Sequence, residues 1–124
     1  QVECYIDRAA VPTDVLAQVQ ASWPGPHTWI LPRAADIPAW IAGAHAGIAL
    51  RVTAHAPAAA LCRAYGGALV STSANPHGSA PARTADTVAS YFGDALDGLL
   101  DAPLGQQDRP TTIRDALTGA TVRH

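Results

Sequence analysis

At 124 residues the chain has room for one domain with a real core, but it is short for a two-layer enzyme with a full-sized sheet. Its 48% hydrophobic and 15% charged content excludes a disordered chain, and no apolar run approaches the roughly 20 residues that would span a bilayer. A net charge of −2 with scattered arginines gives no electrostatic footprint for nucleic acid.

The 10 glycines and 10 prolines imply short elements broken by turns, and much of the apolar total is alanine, so large core formers are scarce. No basic-then-apolar leader opens the chain, which makes it an expected cytoplasmic protein with no membrane partner. Cys4 and Cys62 supply no disulfide framework and, with no histidine at ligand spacing, no zinc site; Cys62 reads as a small buried helix residue.

Taken in order, Pro12-Thr13-Asp14 followed by Val15, Leu16 and Val19 supplies a cap, an early acid and an apolar stripe, predicting a helix to about Ser22. Trp23-Pro24-Gly25-Pro26 ends it. Thr28 to Leu31, β-prone and closed by Pro32, predicts a strand; a rigid turn before it explains the prolines and glycine but leaves His27 and Thr28 free for another purpose. Ile37 to Ile41 predicts one helical turn that buries Trp40 and stops at Gly43. Ile48 to Val52 predicts a strand with Ile48, Leu50 and Val52 on one face and Ala49 and Arg51 on the other. Arg51 is then either a solvated strand residue or a guanidinium held to grip a carboxylate or phosphate.

Pro57 to Tyr65, with Leu61, Cys62 and Tyr65 on one face and Gly66-Gly67 behind, predicts a second full helix. A strand from Ala68 to Ser71 would follow it directly and complete a strand-helix-strand crossover, in a mostly parallel or mixed sheet whose site lies at the strands' carboxyl ends. That strand would deliver the side chains of Ser71-Thr72-Ser73-Ala74-Asn75 to a ligand; as plain turn residues the same five need no ligand. After a loop from Pro76 to Arg83, Thr84 caps a helix through Val88 and Phe92, with Asp86 in its first turn. Leu96 to Ala102 predicts another strand, and Thr111 to Asp115 and Ala120 to Arg123 two short ones about a Thr118-Gly119 turn. No repeat or linker divides the chain, so one domain, or part of one, is expected over 1–124.

Phosphate-loop, dinucleotide-binding, zinc-protease and nucleophile-elbow motifs are all absent. All 8 basic residues are arginines, so no lysine can hold a phosphate. His27, His45, His55, His77 and His124 are dispersed and read as surface or loop residues rather than metal ligands or bases.

Four blocks remain: Trp23-Pro24-Gly25-Pro26-His27-Thr28, Ala49-Leu50-Arg51-Val52, Leu69-Val70-Ser71-Thr72-Ser73-Ala74-Asn75 with Gly78, and Pro110-Thr111-Thr112-Ile113-Arg114-Asp115 followed by Arg123. In order and spacing they resemble the YrdC family over essentially the whole chain. The resemblance implies an α/β fold, a twisted open mixed sheet with flanking helices around a concave, positively lined cavity. It implies a nucleotidyltransferase that joins L-threonine, bicarbonate and ATP into threonylcarbamoyl-AMP and pyrophosphate, for tRNA modification by partner proteins. ATP would be a substrate, with Mg2+ as its candidate companion. By the same likeness Arg51, Ser71 and Thr111 would contact threonine, and Ser73, Asn75 and Arg123 would face ATP, with no covalent catalyst and no protein-held metal. A bidentate arginine suits a carboxylate, and hydroxyls with a second arginine suit a polyphosphate.

The chain also departs from the family pattern. A Pro-Thr-Glu/Asp-Thr-type strand and a Lys-x-Arg motif, which lie upstream in family members, are not found in Gln1 to His124, so the N-terminal strands would be missing and the chain would correspond to the C-terminal two thirds of a member. Thr111 stands where serine is usual, and Pro76-His77 replaces a Leu-Ser pair. A catalytically incomplete module that binds nucleotide or double-stranded RNA is therefore the alternative to a synthase.

Overall fold

The computed structural model describes residues 2–123; Gln1 and His124 lie outside them, and with them the reading of His124 as a surface residue. Four strands, β1 (His27–Pro32), β2 (Gly47–Leu50), β3 (Thr112–Asp115) and β4 (Thr121–Arg123), form one sheet in the order β2-β1-β3-β4. β1 runs antiparallel to β2, with Trp29 opposite Leu50, and parallel to β3, with Thr28 opposite Ile113. β4 returns antiparallel along β3, with a register irregularity at Ile113 and Arg114. The sheet is mixed, as expected.

β1 holds because its alternation places Trp29 (5% exposed) and Leu31 (0%) on one face, against Ile48 and Leu50 of β2. Helix α1 (Thr13–Ala21) lays the wholly buried Val19 on that core, flanked by Val15 and Leu16. Fully burying a side chain such as Leu31 contributes about 1.5–3 kcal/mol. The expected side-chain cap on α1 is not made: Pro12 occupies the cap position and Thr13 is already helical, so the entry rests on the Pro12 carbonyl accepting from Leu16 N–H at 3.0 Å and on Asp14 near the positive helix end.

Helix α2 (Ala39–Ala42) stops at Gly43, whose φ of +63° suits a residue without Cβ. It does not bury Trp40, which is 81% exposed. Ala42 is the residue that turns inward, and two helical positions lie roughly 200° apart around the axis, so Trp40 faces outward. Helix α3 (Ala56–Tyr65) begins with Pro57 and ends on a left-handed Gly66, as read from sequence, yet none of its residues is buried and the expected Leu61 and Tyr65 face is exposed. Helix α4 (Ala85–Phe92) has the expected cap: Thr84 Oγ1 accepts from Thr87 N–H at 3.1 Å, with Asp86 in the first turn. Between β3 and β4 the Asp115 carboxylate accepts from the Leu117 and Thr118 N–H groups at 2.9 Å each, and Gly119 takes φ +72°, which closes the hairpin.

Two expected strands, Ala68 to Ser71 and Leu96 to Ala102, do not form, and with the first the strand-helix-strand crossover is lost. A strand exists through its ladder, and apolar β-prone composition supplies none. No described strand pairs with either segment, so Val70 is left 80% exposed. The parallel pair that does form, β1 with β3, joins segments far apart in sequence.

The chain divides into two compact units, Gln1–Leu69 with Gln107–His124, and Val70–Gln106. Every core residue belongs to the first. No residue of the second is buried as a whole. Among the described residues no helix is long and apolar enough to cross a membrane.

Candidate functional site

The strand directions of the first unit bring the chemistry to one end of the sheet. β1 and β3 start there while β2 and β4 finish there. Arg51 follows the last residue of β2, Thr28 is the second residue of β1, Thr111 precedes β3 and Arg123 ends β4. Across the sheet they form a row: guanidinium, hydroxyl, hydroxyl, guanidinium. The row spans three strand spacings, roughly 14 Å. These candidate residues lie at the carboxyl ends of β2 and β4 but at the amino ends of the parallel pair, β1 and β3, where carboxyl ends were expected.

The middle of the row is tied together. Thr28 Oγ1 and Thr111 Oγ1 lie 3.2 Å apart, and Arg123 Nη2 donates to the Thr111 carbonyl at 3.4 Å. Thr28 was not among the expected ligand residues; its only sequence signal was its place after the Pro-Gly-Pro turn, and its reach to Thr111 depends on a pairing 83 residues apart in sequence.

Arg51 is held at its outer end by a backbone clasp. The register continued by one residue beyond Leu50 sets Arg51 opposite Thr28, and the next residue, Val52, accepts through its carbonyl from Gly25 N–H at 2.8 Å. The turn carrying Gly25 is itself locked. Trp23 Nε1 donates to the His27 carbonyl at 2.8 Å, Trp29 Nε1 to Ser22 Oγ at 2.9 Å, and Ser22 Oγ to the Val19 carbonyl at 2.6 Å. A Cβ at Gly25 would sit 2.8 Å from the Ser22 carbonyl oxygen, so only glycine fits. Arg51 is exposed and has no acidic partner among the described residues, whereas Arg8 pairs with Glu3 at 3.1 Å. Arg114, the nearby third cation, instead covers the Trp29 ring with its guanidinium carbon 6.0 Å from the centroid.

Ser71, Ser73 and Asn75 belong to the second unit and sit in irregular backbone rather than at a strand end. Ser71 and Ser73 are exposed. Asn75 donates from Nδ2 to the Pro76 carbonyl at 3.1 Å, while its Oδ1 is buried without a hydrogen-bond partner. An unpaired buried acceptor costs about 1–3 kcal/mol, which a ligand donor can offset. Beside it, Ala74 lines a groove of about 500 Å³ with Arg83, Thr84, Asp86, Leu99 and Leu104. Cys4 is exposed and Cys62 half-buried, both as free thiols. No three His, Cys, Asp or Glu side chains gather at metal-binding spacing among the described residues.

The Sua5/YciO/YrdC family model, described as telomere recombination, matches residues 1–124. The chain is 51% identical over 115 residues to threonylcarbamoyl-AMP synthase of Halorhodospira halophila, covering 93% of this chain and 60% of that protein. It is 49% identical over 119 residues to the protein of that name in Xanthomonas campestris, covering 96% of this chain and 64% of that one. Among solved structures, Sua5 of P. abyssi complexed with L-threonine superimposes with a TM-score of 0.82 at 26% identity, over 93% of this chain and 33% of the other. A doubly substituted form of P. abyssi Sua5 gives 0.85 at 26% identity, over 94% and 35%. The chain thus spans about 60% of the length of the curated relatives that it matches.

Proposed function

The chain belongs to the Sua5/YciO/YrdC family, and from that membership we propose that it carries the threonine-binding part of an ATP-dependent threonylcarbamoyl-AMP synthase, as one partial domain of that fold. One observation carries the proposal: the row of Arg51, Thr28, Thr111 and Arg123 along one end of the sheet. Two arginines on the outer strands of the sheet, their backbones three strand spacings or roughly 14 Å apart with hydroxyls on the strands between, suit two anions rather than one. A threonine carboxylate fits at Arg51 and a polyphosphate at Arg123. By the family likeness Ser71 is a further threonine contact, and Ser73 and Asn75 are further ATP contacts.

In the reaction so assigned, the amine of threonine takes up bicarbonate with loss of water. An oxygen of the resulting carbamate attacks the α-phosphorus of ATP in line, and pyrophosphate leaves. The chain's residues act by positioning and by stabilising charge, and no protein nucleophile is needed. Mg2+ would arrive bound to the phosphates of ATP. The product would pass to tRNA-modifying partner proteins in the cytoplasm.

A nucleotide- or double-stranded RNA-binding module without turnover is the second reading, favoured by the absence of any lysine among the chain's 8 basic residues. Pyrophosphate release from ATP with threonine and bicarbonate, measured side by side on this chain and on the H. halophila synthase, separates the two. Release by both supports a competent synthase. Release by the longer protein alone, with L-threonine still bound by this chain in calorimetry, assigns the chain to threonine binding only. Failure to bind threonine at all overturns the proposal.

A further inference from the structure

Thr111 stands outside the ladder. β3 begins one residue later, so no strand pairing orients Thr111, which is held by the Thr28 hydroxyl at 3.2 Å and by the long contact from Arg123 to its carbonyl. Thr28, by contrast, lies within β1, a central strand paired on both sides, opposite Ile113 on one flank, with its start held by Trp23 on the His27 carbonyl. A β-branched side chain on such a strand has little χ1 freedom, so its Oγ1 is a fixed point. A hydroxyl carries one hydrogen and two lone pairs, and engagement with Thr28, whichever of the two donates, uses one of these on Thr111 and restricts the directions left to the others.

From this geometry we infer that Thr28 is a positioning residue for threonine recognition: it holds the Thr111 hydroxyl in the orientation that meets the substrate, without touching the substrate itself. The inference rests on the reading that Thr111 contacts threonine. Neither hydroxyl is charged, so the effect is that of one neutral hydrogen bond, and it falls on threonine rather than on ATP.

The test is a double-mutant cycle read as L-threonine affinity by calorimetry, on the chain itself and on its Thr28→Val, Thr28→Ser, Thr111→Val and doubly substituted forms. ATP affinity and melting temperature are recorded for each. Valine keeps the shape and branching of threonine and removes only the hydroxyl. Thr28→Val is expected to weaken threonine binding about three- to tenfold, and Thr28→Ser to restore it. The double variant should bind no more weakly than Thr111→Val alone, because Thr28 acts only through Thr111. ATP affinity and melting temperature should hardly move. Threonine losses that multiply in the double variant, or fall equally on ATP, overturn the inference. So does an unchanged affinity in Thr28→Val when Thr111→Val has lost it. An unchanged affinity in Thr111→Val, or no threonine binding by the unsubstituted chain, instead overturns the underlying reading of Thr111, and the inference with it.

Discussion

Arg51 carries the largest expected effect of any single side chain. The residue is exposed and has no acidic partner among the described residues, and its backbone is held between the Leu50–Trp29 pairing and the Gly25–Val52 hydrogen bond. A charge-assisted hydrogen bond is worth about 1.5–3 kcal/mol, so Arg51→Ala should weaken threonine binding about ten- to a hundredfold in calorimetry, at little cost to the melting temperature. Unchanged affinity would remove Arg51 from the site. Asn75 poses the opposite balance, since its buried Oδ1 lacks a partner in the free chain. Asn75→Ala should therefore cost the free chain under about 1 kcal/mol in thermal melting while lowering ATP affinity about three- to tenfold. Equal ATP affinity would leave that oxygen unexplained by a nucleotide.

Among the elements, the turn from Ser22 to Pro26 does more than end α1. Its Gly25 N–H fastens the chain just past Arg51, and its Ser22 is pinned from both sides by Trp29 and Val19. Ser22 cannot retreat from a new methyl group, so Gly25→Ala should cost about 1–3 kcal/mol in denaturant unfolding and weaken threonine binding through Arg51. Loss of stability with threonine affinity intact would separate the clasp from the site. At α4 the Thr84 cap closes on Thr87 N–H, and Thr84→Ala should cost about 1 kcal/mol. Helical signals were legible because caps, prolines and glycines act locally, as at Thr84, Pro57 and Gly66. Strand signals were legible only where a partner existed. Thr28 to Leu31 found two neighbours and became β1, whereas Ala68 to Ser71 found none and stayed irregular.

In the molecule as a whole, burial is confined to one unit. The core from Ile6 to Ala116 lies entirely within Gln1–Leu69 and Gln107–His124, and no residue of Val70–Gln106 is buried as a whole. Local stability follows buried apolar contact, so amides of the second unit should exchange with solvent near their unprotected rates outside α4, while those of β1 and β2 exchange orders of magnitude more slowly. Uniform protection across both units in hydrogen-exchange mass spectrometry would contradict that division of the core.

The amino-acid sequence by itself determined the helices, the turns, the β1 and hairpin strands and the family, because each rests on short-range chemistry or on blocks of residues in fixed order. It also pointed to Arg51 through its place on a strand, and to Thr111 and Arg123 through the family resemblance. Only the tertiary structure decided that these three stand in one row with Thr28, because the row is made by strand directions and by a parallel pairing between residues 28 and 113. It alone decided that Trp40 faces outward and that Val70 remains unpaired, because exposure and ladder formation depend on which neighbour arrives and not on the residue itself.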